Sequence, residues 1–282
     1  MRPLIDADVL RMEVGSVGQH VDEEGNIIMR SWDFVEELLD SKIREIETLT
    51  WADESPTLFL TSCPRTHKIL HRKGNVEFQP NFREAVAVTK PYKGTRKGDK
   101  PLHYDNITAY MINCYDCIVA EGCEADDLLA YEQVRALERG DETIICTRDK
   151  DLRIVEGNQF GWSCGKQEAF GPEKVNKAEG YRTFLLQLLT GDAVDNIPGV
   201  PGIGDNKAAQ ILEGKETYEE MLKAVRGAYR AFYGDSWADQ MAEQGKLLWM
   251  CSEFENGKPV QWKLPEWLLD EQDTSEESQT SE

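Results

Sequence analysis

The chain has 282 residues, 40% of them apolar and 30% charged, enough for one large or two small globular cores. Fifty-two acidic side chains against 32 basic ones give a formal net charge of −20, an odd balance for a protein that meets nucleic acid. No basic leader followed by an apolar run opens the sequence, and no apolar stretch is long enough to span a membrane. With seven scattered cysteines, an odd number that argues against a disulfide framework, a cytoplasmic protein is expected.

The charge is unevenly spread. From Asp270 the sequence DEQDTSEESQTSE can bury no core and reads as a disordered acidic tail. Between Arg65 and Lys100 the balance reverses, with ten Lys and Arg against Glu77, Glu84 and Asp99.

In chain order, Pro3-Leu-Ile5 reads as a strand that ends in Asp6, with Asp8 two residues on. Residues 15–26 are polar and read as a loop. Trp32–Leu49 places Phe34, Val35, Leu38, Leu39, Ile43, Ile46 and Leu49 at helical intervals, an amphipathic helix. Thr57–Thr61 is a second strand, followed by Ser62-Cys63-Pro64 and then the basic segment. His67 and His71 have the i, i+4 spacing of a metal pair. The basic residues Lys68, Arg72 and Lys73 around them, and the lack of an HExxH glutamate, argue against that use. Lys93 and Arg96 share a face if their segment is helical.

Cys117–Ala120 is a third strand. It leads into EGCEADDLLA, where Glu121, Glu124, Asp126 and Asp127 open a helix. One or two such acids can serve the helix N-terminus. Three packed into the four residues 124–127 repel one another unless a cation sits among them, and metal and capping stay open for this stretch alone. Glu142–Thr147 is a fourth strand and runs into Asp149 and Asp151. Strands alternating with helices imply a parallel sheet with right-handed crossovers, whose ligand site lies beyond the carboxyl ends of the strands. Three acidic groups, each following a strand, fall on that edge.

Tyr181–Leu189 is a helix closed by Gly191. Residues 191–204, GDAVDNIPGVPGIG, then form a rigid glycine turn carrying Asp192 and Asp195, with Asp205 placed to cap a helix over 206–212. Helices continue to about Leu248, and a less regular stretch reaches Leu269.

Ile5-Asp6-Ala-Asp8, Tyr92-Lys93-Gly-Thr-Arg96, Glu124-Ala-Asp126-Asp127, Thr147-Arg-Asp149-Lys-Asp151 and the 191–204 turn together resemble the 5′-nuclease superfamily. That superfamily comprises flap endonucleases, polymerase 5′-nuclease domains and, closest in look, the 5′→3′ exonucleases of tailed phages. The resemblance covers about residues 4–212. It departs at Ser62, where members commonly carry an Asp. It implies an α/β, PIN-like nuclease domain with a mostly parallel sheet over 1–178, including a basic arch at about 64–105. A helical region with a helix–three-turn–helix motif follows over 179–269, and the acidic tail over 270–282. It further implies a phosphodiesterase acting from DNA 5′ ends with two Mg²⁺ or Mn²⁺ ions held by Asp6, Glu124, Asp126, Asp127, Asp149, Asp151, Asp192 and Asp195. Lys93 and Arg96 would act on the scissile phosphate. Tyr92, Gly199, Gly202, Gly204 and Lys207 would contact DNA, and K⁺ is possible at the turn. A 5′-flap endonuclease with the same site, RNA-primer removal, and a DNA-binding module without chemistry are the alternatives. The expected partners are duplex DNA and replication proteins, with no membrane; the chain is expected to be a monomer, in the host cytoplasm if phage-encoded.

Overall fold

The computed structural model describes residues 1–72, 74–95 and 98–270. Its centre is a six-stranded sheet in the order β5-β4-β1-β6-β7-β8. These strands are β1 (Arg2–Asp6), β4 (Thr57–Thr61), β5 (Asp116–Ala120), β6 (Thr143–Cys146), β7 (Gly157–Gly161) and β8 (Phe170–Val175). All neighbours run parallel except β7 and β8. The inner strands β1, β4 and β6 come from short, almost wholly apolar runs, as strands covered on both faces require: Leu4, Ile5, Leu58, Phe59, Leu60, Ile144 and Ile145 are all buried.

One face is covered by α1 (Ala7–Val17), α2 (Trp32–Leu49) and α5 (Tyr104–Cys114). α2 has the bounds expected from its periodicity. Ser31 accepts from the Phe34 amide at its start, and Val35, Leu39, Ile43 and Ile46 form its buried stripe. Each of those side chains contributes roughly 1.5–3 kcal/mol of burial. Residues 15–26 are not simply a loop: α1 continues to Val17, and β2 (Gln19–Val21) then pairs with β3 (Ile27–Met29) in an exposed hairpin. The basic segment carries two short helices, α3 (Pro64–Leu70) and α4 (Phe82–Val86).

The other face packs against α6 (Ala125–Arg139), α7 (Lys177–Thr190), α8 (Asp205–Ile211), α9 (Tyr218–Tyr233) and α10 (Trp237–Leu248). One continuous core joins Leu4, Phe59 and Ile145 of the sheet to Phe184, Leu188, Tyr229 and Trp262. The sheet and the helical region therefore share one interior. Chain direction gives the functional geometry: β1 lies between β4, reached over one face, and β6, reached over the other. At such a reversal the connections diverge and leave a crevice at the carboxyl ends of the strands.

Candidate metal centre at the carboxyl edge of the sheet

Asp6 ends β1 and caps α1. Its Oδ1 accepts from the amides of Asp8 and Val9, both at 3.2 Å, and its Oδ2 from the Thr147 hydroxyl at 2.7 Å. Burial, then the charge of Asp8, pushes its carboxyl up to about 7. Asp8 turns toward the end of β4, where its Oδ2 accepts from the Thr61 amide at 3.0 Å and its Oδ1 pairs with Arg11. Ser62, beside Thr61, has a buried hydroxyl with no hydrogen-bond partner among the described residues. The strand end that lacks a carboxylate of its own thus receives one from α1.

β5 leads into α6, where the acids separate into two roles. The Glu124 carboxylate meets the Lys93 ammonium through Oε1 and the Tyr92 hydroxyl, at 3.1 Å, through Oε2. Asp126 is raised well above the ordinary carboxylate range by burial and by the charges of Asp6, Asp149 and Glu124. Asp127, one residue on, lies elsewhere. Its side chain is fully buried and grips Arg83 of α4 with both oxygens, Oδ2 to Nη1 at 2.6 Å and Oδ1 to Nη2 at 2.9 Å. The same oxygens accept from the amides of Cys251 at 2.9 Å and Glu124 at 3.0 Å. With every favourable direction taken, Asp127 is not available as a metal ligand, which corrects the expectation for that residue. Arg83 also donates to the carbonyls of Leu247 and Trp249, so the pair fastens α6, the basic segment and the exit of α10 together.

β6 delivers the third group. The Asp149 amide donates to Thr147 Oγ1 at 2.9 Å, and its Oδ1 accepts from the Asp151 amide at 2.8 Å. Burial and the charges of Asp195 and Asp192 raise Asp149, although the Asp151 amide and Lys93 oppose the rise. Asp151 is pushed up to about 7 by burial, then by Asp149 and Asp192, and accepts from Gln187 of α7. The 191–204 turn brings the fourth group. Asp192 Oδ1 accepts from the amides of Val194 and Asp195, at 2.6 and 3.1 Å. Asp195 Oδ2 takes the Tyr92 hydroxyl at 2.9 Å and lies 3.8 Å from Lys93 Nζ, while its carbonyl accepts from the Lys93 amide. Residues 91–94 form a turn with Lys93 at φ 53°, so the helical pairing of Lys93 with Arg96 does not hold at Lys93; Arg96 itself lies outside the described residues.

Asp6, Asp8, Glu124, Asp126, Asp149 and Lys93 line one cavity of about 720 Å³. Asp151, Asp192 and Asp195 are outside its lining; the charges of Asp192 and Asp195 act on Asp149, and the Asp151 amide donates to it. The donor set consists of carboxylate oxygens, the chemistry of a hard divalent cation such as Mg²⁺ or Mn²⁺. Four of these acids, Asp6, Asp126, Asp149 and Asp151, stand where partial or full burial and mutual repulsion oppose their ionisation. A bound cation removes that penalty. The residues fit the group.

The glycine turn divides likewise. Gly191 and Gly199 cross so closely that a Cβ on Gly199 would stand 2.3 Å from the Gly191 nitrogen. Gly199 is buried, its amide donating to Gln244 at 2.8 Å and its carbonyl accepting from Tyr233 at 2.6 Å, so it supports the turn and presents no group to a duplex. Gly202, Gly204 and Lys207 are exposed, and open space surrounds both glycines. Asp205 is the first residue of α8, and Gly204 takes the cap position expected of it.

Two side chains escaped the sequence reading. Arg83 sits in a short helix whose sequence carries no sign that it is buried. Glu121, the first acid of the EGCEADD run, lies outside the cavity and meets His67 and His71.

The fold is a PIN-like α/β fold of the 5′-nuclease type. The T5 D15 protein, crystallised with metal ions, has it: TM-score 0.52 over 88% of this chain and 99% of its own, at 14% identity. No family model matches the chain. In sequence it is similar to DNA polymerase I of Rhizobium leguminosarum, 41% identical over 111 residues, which are 38% of this chain and 11% of the polymerase. It is also similar to the 5′-3′ exonuclease of Aquifex aeolicus, 35% identical over 115 residues, 39% of this chain and 40% of that one. A third relative, the 5′-3′ exonuclease of Mycobacterium tuberculosis, is 32% identical over 121 residues, 38% of this chain and 37% of its own. The chain spans less than half the length of these relatives. In motifs, relatives and fold it resembles the 5′-nuclease superfamily.

Proposed function

We propose that the chain is a metal-dependent 5′→3′ exodeoxyribonuclease. The observation that carries this reading is the convergence of carboxylates from β1, α1, the start of α6 and the β6 end on one cavity, with Lys93 at its wall and the charges of the glycine-turn acids felt at Asp149. Asp6, Glu124, Asp126 and Asp149 would hold one Mg²⁺ or Mn²⁺, and Asp151, Asp192 and Asp195 a second; Asp8 stands in for the carboxylate that Ser62 lacks. Two such ions, when bound, supply an activated water, charge neutralisation on the phosphate and help for the leaving oxygen.

Lys93 is held by Glu124 and Asp195, so its ammonium sits where a scissile phosphate would approach the acids. Tyr92 locks the same two acids in place, a positioning role in place of the DNA contact first assigned to it. Arg96, close in sequence, is assigned the phosphate alongside Lys93. The exposed amides at Gly202 and Gly204, with Lys207, are proposed to meet the phosphates of a duplex, with K⁺ at the turn carbonyls. Relatives named 5′-3′ exonuclease and DNA polymerase I support a setting in DNA replication, with a DNA 5′ end as substrate and RNA-primer removal as a related use. A monomer acting in the cytoplasm completes the proposal.

The test is cleavage of 5′-labelled duplex and 5′-flap DNA with Mg²⁺ and with EDTA, beside Asp149→Asn. Release of labelled mononucleotides from the duplex end, only with Mg²⁺ and not by the variant, is expected. Release of whole flaps would make the chain a flap endonuclease. Duplex binding without cleavage by wild type would leave only a binding module.

A further inference from the structure

His67 and His71 of the basic segment and Glu121 of the β5–α6 loop bring one ligand atom each within 4.8 Å of the others, well apart from the acidic cavity in chemistry. Glu121 Oε1 lies 2.8 Å from His67 Nδ1 and 3.1 Å from His71 Nε2. The other nitrogen of His67, Nε2, is 2.9 Å from the Val76 carbonyl. A carbonyl only accepts, so Nε2 carries the ring proton and a neutral His67 turns the lone pair of Nδ1 toward the carboxylate oxygen. Two lone pairs at 2.8 Å repel unless something positive lies at that point. A proton on Nδ1 is one answer. A divalent ion shared with His71 is the other, and it uses all three inward-facing atoms at once.

The three ligand atoms, all within 4.8 Å of one another, need only a small adjustment to surround an ion. Tetrahedral zinc with bonds of about 2.0–2.1 Å sets its ligand atoms ~3.3 Å apart, near the 2.8 and 3.1 Å found here. A backbone carbonyl fixing the tautomer of a ligating imidazole is the usual outer support of such a site. The Val76 carbonyl, ahead of Glu121, also raises the basicity of His67, which makes Nδ1 a stronger donor. His67 packs edge-on against Phe78, which holds the ring in this orientation. Two imidazoles and one carboxylate favour zinc over the Mg²⁺ suited to the neighbouring acids.

We propose that His67, His71 and Glu121 form a zinc site, with a fourth position open to water, that clamps α3 to the loop leading into Glu124. The site stands independently of the nuclease reading. Only Gly122 and Cys123 separate Glu121 from Glu124, so the clamp would fix the approach to the acidic cavity from outside it.

The test is Co²⁺ titration of the full chain carrying Glu124→Gln and Asp149→Asn, so that the acidic cavity is weakened as a competitor. Tetrahedral Co²⁺ absorbs strongly in the visible, whereas carboxylate- and water-bound octahedral Co²⁺ does so only weakly. A strong visible band that Zn²⁺ displaces is expected. His71→Ala and Glu121→Gln should abolish it or weaken uptake beyond the roughly 10–100-fold that losing an outer-shell partner costs. His71 is a partly exposed helix-cap residue, so its replacement leaves the fold intact and the result readable. No visible band, or a band unchanged in His71→Ala, would overturn the proposal and leave the triad proton-bound.

Discussion

Replacing Asp127 by Asn should unfold the protein more than it disarms it. The carboxylate is fully buried and accepts four hydrogen bonds, two from Arg83 and one each from the amides of Cys251 and Glu124. An asparagine keeps the shape but only one acceptor oxygen. Its NH₂ then faces donors, and the Arg83 guanidinium, itself 1% exposed, loses its counter-charge. Breaking one side of a buried, hydrogen-bonded pair costs about 3–5 kcal/mol. For a chain of this size that is a Tm lower by roughly 6–20 °C. Arg83 would retain the Leu247 and Trp249 carbonyls, so its charge stays in place and keeps the cost high. Urea unfolding in EDTA measures the effect without interference from metal. Adding Arg83→Met should cost less than the two single changes summed, because the second removes a charge the first has orphaned. The reasoning fails if Asp127→Asn unfolds within ~1 kcal/mol of wild type while cleavage and Mg²⁺ affinity disappear. That outcome would return Asp127 to the metal site.

The other acids should behave in the opposite sense. Asp149→Asn removes a repelling charge, so metal-free stability should hold or rise while Mg²⁺-dependent cleavage is lost; parallel urea melts and product gels check both. Asp6 and Asp151 have carboxyls pushed up to about 7, above the 3.8 usual for Asp, so the folded state binds more protons than the unfolded one between those values. Metal-free stability contributed at these positions is therefore present below pH ~4 and falls as pH rises toward 7. Saturating Mg²⁺ should flatten that slope, and an EDTA series of unfolding curves from pH 4 to 7 measures it. Lys93→Ala should lower kcat at constant fold, and single-turnover rates unchanged from wild type would remove Lys93 from the chemistry. Lys207→Ala should weaken duplex binding and shallow its dependence on salt by about one phosphate contact, read from binding isotherms at several salt concentrations.

Much of the site was legible because its parts are local. An apolar run ending in Asp, and acids at a strand-to-helix junction, can be read along the chain, as with Asp6, Glu124 and Asp149. What escaped is what depends on distant partners. Asp126 and Asp127 look alike in sequence, and it takes partners such as Arg83, 44 residues away, and the Cys251 amide to hold Asp127 in the core. Glu121 looks like one more member of the acidic run until α3 places two imidazoles beside it. β7 and β8 were missed for another reason. Gly157-Asn158-Gln159 and Phe170-Gly171-Pro172-Glu173 lack the apolar alternation that marks a strand, and their pairing is decided by the sheet that receives them. The exposed β2–β3 hairpin likewise has no buried face to leave a pattern.

The crossing of Gly191 and Gly199 bears on how this sequence can vary. A methyl group at either position meets backbone atoms at 2.3 Å, and both residues sit at positive φ, 72° and 63°. Neither constraint can be relieved by trimming a neighbouring side chain, because the obstacle is the main chain itself. In a randomised library selected only for folding, these two positions should return glycine almost alone. Gly202, with open space around it, should admit Asn and Asp, and Gly204, at negative φ, a wider set. The spacing of Gly191 and Gly199 would then record a steric crossing, and the later glycines would vary unless a ligand selects them.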